Sequence, residues 1–198
     1  MEEWEKESSA TFKAEKMKLV HFKKRRVISQ SSVTIKGQEV EAKGAVKILR
    51  VILDAHLSWS IQITHAATKG KQAALALRRL KGLWPQTAHQ LYIATVTPVL
   101  DYGSPVWYPL ITNRNLGKLE QAQSIGVKAV IGMFHTVALS IAEAEAGVEP
   151  IPIRLENHMR QFWLNAHTLP EKHPFWTLKC SIALTNKHFI SPLQAMAQ

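Results

Sequence analysis

Cysteine occurs once, at Cys180, which excludes an internal disulfide and any zinc site built on cysteine pairs. Aspartate occurs twice, at Asp54 and Asp101, and never as an Asp-Asp pair. Between Ala55 and Leu100 there is neither Asp nor Glu. No apolar run approaches the roughly 18 to 20 residues that cross a bilayer, so no membrane partner is expected. The opening MEEWEKESS is acidic and has no apolar h-region, so neither a secretory signal nor an Arg-rich mitochondrial presequence is visible. A soluble protein of the nucleus or cytoplasm is the expectation. Nine histidines include no His-x-x-x-His pair beside a carboxylate, so no metal site is expected from them.

What the chain has in excess is positive charge. Lys and Arg number 25 against 15 Asp and Glu, a net charge of +10 over 198 residues. A surface so biased favours polyanions, and nucleic acid is preferred to anionic lipid because no basic amphipathic segment argues for lipid. Hydrophobic content of 46% is ordinary for a folded protein, so the charge does not imply disorder.

The early segments are short. Residues 1–10 read as a helix end carrying Trp4. Met17, Leu19 and His21 alternate with Lys18, Val20 and Phe22 at the period of a strand. The run Lys23-Lys24-Arg25-Arg26 is a phosphate-binding or nuclear-import patch, or merely a solvated loop. Such runs are most often solvated, but the surroundings raise the functional reading, since residues 11–50 hold eleven Lys or Arg against three Glu. Ser32 to Ile35 and Gln38 to Val40 flank Lys36-Gly37, a two-residue hairpin turn. Val46 to Asp54, VKILRVILD, reads as one short buried strand, rich in β-branched and bulky residues.

From about Ile61 the spacing becomes helical. Ala66, Gly70, Ala73, Leu77, Leu80 and Trp84 recur at intervals of three and four, the stripe of one long helix. Its other faces carry Lys69, Lys71, Arg78, Arg79 and Lys81 inside the acid-free window, as suited to tracking phosphates as to simple solvation. Thr87 is a candidate cap for a second helix carrying Leu91, Ala94 and Leu100, with Pro98 forcing a kink or an early end. Val106-Trp107-Tyr108 either closes a core or stacks on bases. Thr112 or Asn113 caps a third helix through Leu116, Leu119, Gln123, Gly126 and Val130. Two more are expected, Val137 to Ala146, stopped by Gly147, and Ile153 to His167, with Leu155, Phe162 and Ala166 inward. Beyond Pro170 periodicity is weak.

Six stretches in order carry a resemblance: FKAEKMKLVHF (Phe12 to Phe22), KILRVILDAHLSWSIQITHAA (Lys47 to Ala67), LYIATVTPVLDYGSPVW (Leu91 to Trp107), NLGKLEQAQSIGVKAVIG (Asn115 to Gly132), EAGVEPIPIRL (Glu145 to Leu155) and HFISPL (His188 to Leu193). Together the chain resembles the reverse transcriptases of non-LTR (LINE-like) retrotransposons, of fungal type, from the late palm through the thumb to just before an RNase H domain. The resemblance implies that Lys16 stands near the incoming nucleotide's phosphates and that Leu49, Arg50 and Val51 form the primer-grip turn. It implies that the helices from Ile61 onward are the thumb. Two positions depart from the family: Arg50 where it usually has Gly, and Met17 where it has Thr. The complete enzymes hold two Mg²⁺ on carboxylates of an early palm strand and a Tyr-x-Asp-Asp turn, which this chain lacks.

The expected fold class is therefore α+β, a small antiparallel β-sheet followed by a mainly α-helical, thumb-like bundle. Residues 1–60 would be the end of the palm, 61–169 the thumb and 170–198 a tail towards a missing RNase H domain. The expected function is to hold RNA or RNA-DNA template-primer, alone or with the rest of the polymerase, without catalysis and with no bound cofactor. The contact residues would be Lys23, Lys24, Arg25, Arg26, Lys69, Lys71, Arg78, Arg79 and Lys81. The rival readings are a stand-alone basic nucleic-acid-binding protein and a degenerate product without activity.

Overall fold

Two tight turns organise the first part of the chain in the computed structural model, which describes residues 17–22, 32–35, 37–80, 82–170 and 172–173. Strands β1 (Ser32–Ile35) and β2 (Gln38–Glu41) pair antiparallel, with Ile35 opposite Gln38 and Gly37 in the turn between them. Strands β3 (Ala45–Ile48) and β4 (Val51–Asp54) form a second antiparallel pair, with Ile48 opposite Val51. Val46 to Asp54 is thus not one strand but most of a hairpin. Its turn is Leu49-Arg50, at φ +46° and +68°. Positive φ at both central residues is the mark of a type I′ turn, whose twist matches that of the strands it joins. Leu49 is 84% exposed and Ile48 52%, so the run of apolar residues is not continuously buried. The strand expected over Met17 to Phe22 is reduced to a single parallel bridge between Leu19 and Ala42, with Lys43 N–H donating to the Leu19 carbonyl at 2.8 Å. The helix expected over residues 1–10 and the tail from Pro174 onward lie outside the described residues.

A left-handed conformation is easy for glycine and costly for a residue with a Cβ. Arg50 therefore carries local strain that a glycine would not. Arg50→Gly is expected to raise the stability of the hairpin by about 0.5–1 kcal/mol, the strain relieved being partly offset by the entropy a glycine loses on folding. Slower hydrogen exchange of the β3 and β4 amides would show it, and faster exchange would mean that the arginine side chain holds the turn.

The helical part begins with α1 (Ser60–Arg79). Five alanines support it locally, and its buried face is Gln62, Ile63, Ala66, Ala67, Gly70, Ala74 and Leu77. The helix stops well before Trp84. Gly82 sits at φ +73°, Leu80 is 54% exposed and Trp84 77%, so the three-four stripe overran the helix that carries it. Trp84 instead precedes α2 (Pro85–Thr95), where proline occupies the first turn and Thr87 makes no cap. Ala88, Tyr92 and Val96 face inward here, and Ala94 is exposed. The break before Pro98 is as expected: α3 (Thr97–Asp101) follows directly, then α4 (Ser104–Trp107) and a 3₁₀ turn (Tyr108–Leu110).

Helix α5 (Asn113–Ile131) is capped by Thr112, whose hydroxyl accepts from Asn115 N–H at 3.4 Å. It buries Leu119, Gln123, Gly126 and Val130 as its spacing predicts. Helix α6 (Leu139–Ala146) stops at Gly147, and α7 (Ile151–His167) completes the order. Phe162 departs from expectation at 42% exposure, because α7 buries Ile151, Arg154 and Leu155 and then nothing until Ala166. Its middle runs past the core.

The fold class is α+β, and the chain divides into two compact units, Met1–Ile61 and Gln62–Gln198. In the second, Tyr92, Leu100, Trp107, Leu119, Val127, Ile151 and Leu155 are almost wholly buried. Glycines admit close approach at two points. A Cβ at Gly70 would lie 2.2 Å from Leu100 Cδ2, and one at Gly126 would lie 2.5 Å from the Tyr92 ring.

Candidate nucleic-acid interface

The cations of the acid-free window can be placed by helix phase, because successive residues of α1 are turned by about 100°. Lys69, Lys71, Arg78 and Arg79 are all exposed. They do not form one face. Lys71 and Arg78, seven residues apart, differ by only about 20° and share a stripe with Thr64. Lys69 is turned about 200° from Lys71, and Arg79 stands about 100° from Arg78. The two arginines also occupy the last turn of α1, where positive charge offsets the exposed carbonyl end of the helix.

Of the residues named by resemblance, Leu49 and Arg50 are exposed at the turn of the second hairpin, whereas Val51 is buried at the start of β4. Lys16, Lys23, Lys24, Arg25, Arg26 and Lys81 lie outside the described residues. The aromatic cluster takes the core-closing alternative at Trp107, which is fully buried and donates Nε1–H to the Tyr102 carbonyl at 3.0 Å. Tyr108 donates its hydroxyl to the Pro152 carbonyl at 3.1 Å. Val106 stays 42% exposed.

Both aspartates are fully engaged. Asp54 ends β4 and accepts two backbone N–H groups, from Ser58 at 3.0 Å and Trp59 at 3.0 Å. Burial alone would push its carboxyl up, but the hydrogen bonds from Ser58 and Trp59 together outweigh it and hold it below the ordinary value. Asp101 faces Arg154 in a two-pronged ion pair, Nε to Oδ2 at 2.6 Å and Nη2 to Oδ1 at 3.0 Å, with both side chains buried. Burial disfavours the charged guanidinium, yet the Asp101 carboxylate more than compensates and the pKa of Arg154 is raised.

Around this pair is a buried network that spacing did not reveal. Arg154 Nη1 also donates to Gln123 Oε1 at 2.8 Å and to the Glu149 carbonyl at 3.0 Å. Gln123 Oε1 accepts in addition from the Tyr92 hydroxyl at 3.1 Å, while its Nε2 donates to Glu143 Oε1 at 2.6 Å and to the Glu149 carbonyl at 3.1 Å. Both hydrogens and both lone pairs of that amide are used, so its orientation is determined. Burial pushes the Tyr92 hydroxyl up and keeps it a donor. Burial also pushes the Glu143 carboxyl up, against the hydrogen bond from Gln123. Tyr92 and Asp101, Gln123, and Glu149 with Arg154 come from three separate stretches of the chain. The available signal was a lone charge inside an apolar run, Asp101 after Val99-Leu100 and Arg154 between Ile153 and Leu155.

An open cleft of about 460 Å³ lies between the start of α2 and the ends of α5 and α6, lined by Pro85, His89, Val130 and Gly147 among others, and holds none of the predicted contact residues. Among the described residues no cluster of three metal-binding side chains occurs, and no helix is long and apolar enough to cross a membrane. No protein-family model, no curated protein and no solved structure matches this chain.

Proposed function

We propose that the chain derives from a non-LTR retrotransposon reverse transcriptase, an RNA-directed DNA polymerase. In this reading it holds RNA or RNA-DNA template-primer on its thumb-like helices and transfers no nucleotide itself. The observation that carries the binding half is the exposure of Lys71 and Arg78 along one stripe of a helix with no acid. Such a surface neutralises phosphates and releases their counterions whatever the base sequence. The other half rests on the donor set. Two-metal phosphoryl transfer needs carboxylates free to bridge both ions, and Asp54 and Asp101 are committed to backbone N–H groups and to Arg154. Among the described residues no carboxylate set fits a pair of Mg²⁺ ions.

Titration of a fluorescent primed template is expected to give a dissociation constant on the order of 10⁻⁴ to 10⁻⁶ M near physiological salt, weakening steeply as salt rises. Nucleotides and Mg²⁺ added to the complex should leave the primer unextended. Undetectable or salt-independent binding would favour a degenerate product, and metal-dependent extension would overturn the non-catalytic reading.

A further inference from the structure

We infer that the phosphate contact is a two-helix track, shared by α1 and α5, which accepts one nucleic-acid strand along its length. This rests on the reading above and specifies its site. Lys118 of α5 donates to the Thr64 hydroxyl of α1 at 2.9 Å, and a Cβ on Gly126 of α5 would lie 3.3 Å from Ala74 Cβ of α1. Position 118 is thus near 64 and 126 near 74, so the two helices run in the same direction and touch where Gly126 meets Ala74. Thr64, Lys71 and Arg78 follow one another at seven-residue intervals, drifting by about 20° each. The flank of α1 that meets Lys118 therefore also carries Lys71 and Arg78. On α5, Arg114 is one turn before Lys118 and about 40° from it, also exposed.

Four cations consequently line one seam in the order Arg114, Lys118, Lys71, Arg78. At a rise of about 1.5 Å per residue the row extends over about 27 Å. Helices in contact have axes about 8–10 Å apart, so the seam meets one backbone at a time. No acid interrupts it from either helix, since α1 has none and Glu120 of α5 is turned about 200° from Lys118. Among the described residues none of the four has a carboxylate partner. Lys69, by contrast, faces the opposite flank of α1, and Arg79 is turned about 80° from Lys71 and about 100° from Arg78. The window of α1 alone pointed to all of these cations equally; the tie from Lys118 to Thr64 separates them and adds two from α5.

The test compares the unaltered chain with two charge-removed variants on the same fluorescent primed template across a salt series. One variant is Lys71→Gln, Arg78→Gln, Arg114→Gln and Lys118→Gln; the other is Lys69→Gln and Arg79→Gln. Each phosphate contact contributes about 0.7 to 0.9 to the slope of log affinity against log salt. The seam variant is expected to flatten the slope by about 3, and the off-seam variant by less than about 0.5. Both should keep the circular dichroism and melting of the parent, as the altered side chains lie at the surface. Equal flattening per charge in the two variants, or none in the seam variant, would overturn the track while leaving binding in place. Failure of the unaltered chain to bind would overturn the binding reading and the track with it.

Discussion

Replacing Arg154 by alanine is expected to destabilise the helical unit by about 3–5 kcal/mol, a large part of what holds a typical domain together. The guanidinium supplies both prongs to Asp101 and one N–H each to Gln123 and the Glu149 carbonyl, and all but the last of these acceptors are buried. Without it a carboxylate is left in the core with its charge uncompensated. The attraction within the pair is not itself the source of that figure, because removing two charges from water offsets most of it. The Arg154→Met/Asp101→Leu double variant should therefore cost much less than Arg154→Ala, with a remainder from Gln123 and Glu149, which still lose a donor. Urea denaturation of the single and double variants measures the difference. A loss below about 1 kcal/mol for Arg154→Ala would mean that water reaches the pair.

The second large effect is expected at Asp54. Its carboxylate accepts the N–H groups of Ser58 and Trp59 in a loop where Leu57 and Trp59 stand at φ +50° and +59°. Two residues with side chains are held in the left-handed region, and the hydrogen bonds to a buried charge offset that strain. Asp54→Ala is expected to cost about 2–4 kcal/mol, from two bonds to an ionised group. The loss depends on pH. Because the folded carboxyl lies below its ordinary 3.8, its contribution is complete above that value and disappears as pH falls through the lower folded value. Parent and variant should differ at neutral pH and converge in strong acid. A difference that persists undiminished at the lowest pH would assign the role to packing around Trp59 and not to the carboxylate.

The cap at Thr112, the inward face of α5 and the stop at Gly147 are local events, and all were readable. The hairpin at Leu49-Arg50 was not readable from propensity, because neither residue favours positive φ and the flanking apolar residues read straight through. It was the family resemblance that implied a turn there. Leu80 and Trp84 had the correct spacing but lay past the end of α1, and Phe162 had the correct phase but lay where α7 has left the core. Periodicity reports a phase and says nothing of how far the opposing surface extends.

What the sequence by itself determined is the charge, the acid-free window, the helical spacing of the second unit and its principal stops, since these depend on composition or on neighbours within a turn. Only the tertiary structure decided what the charges do. It bound Asp101 and Arg154 to one another across 53 residues of chain, and it brought Lys118 beside Thr64 across 54. Hydrogen bonds and charge interactions act over a few ångströms of space, whatever the separation along the chain, so which cation is buried against a carboxylate and which stays at the surface was not written in any local pattern.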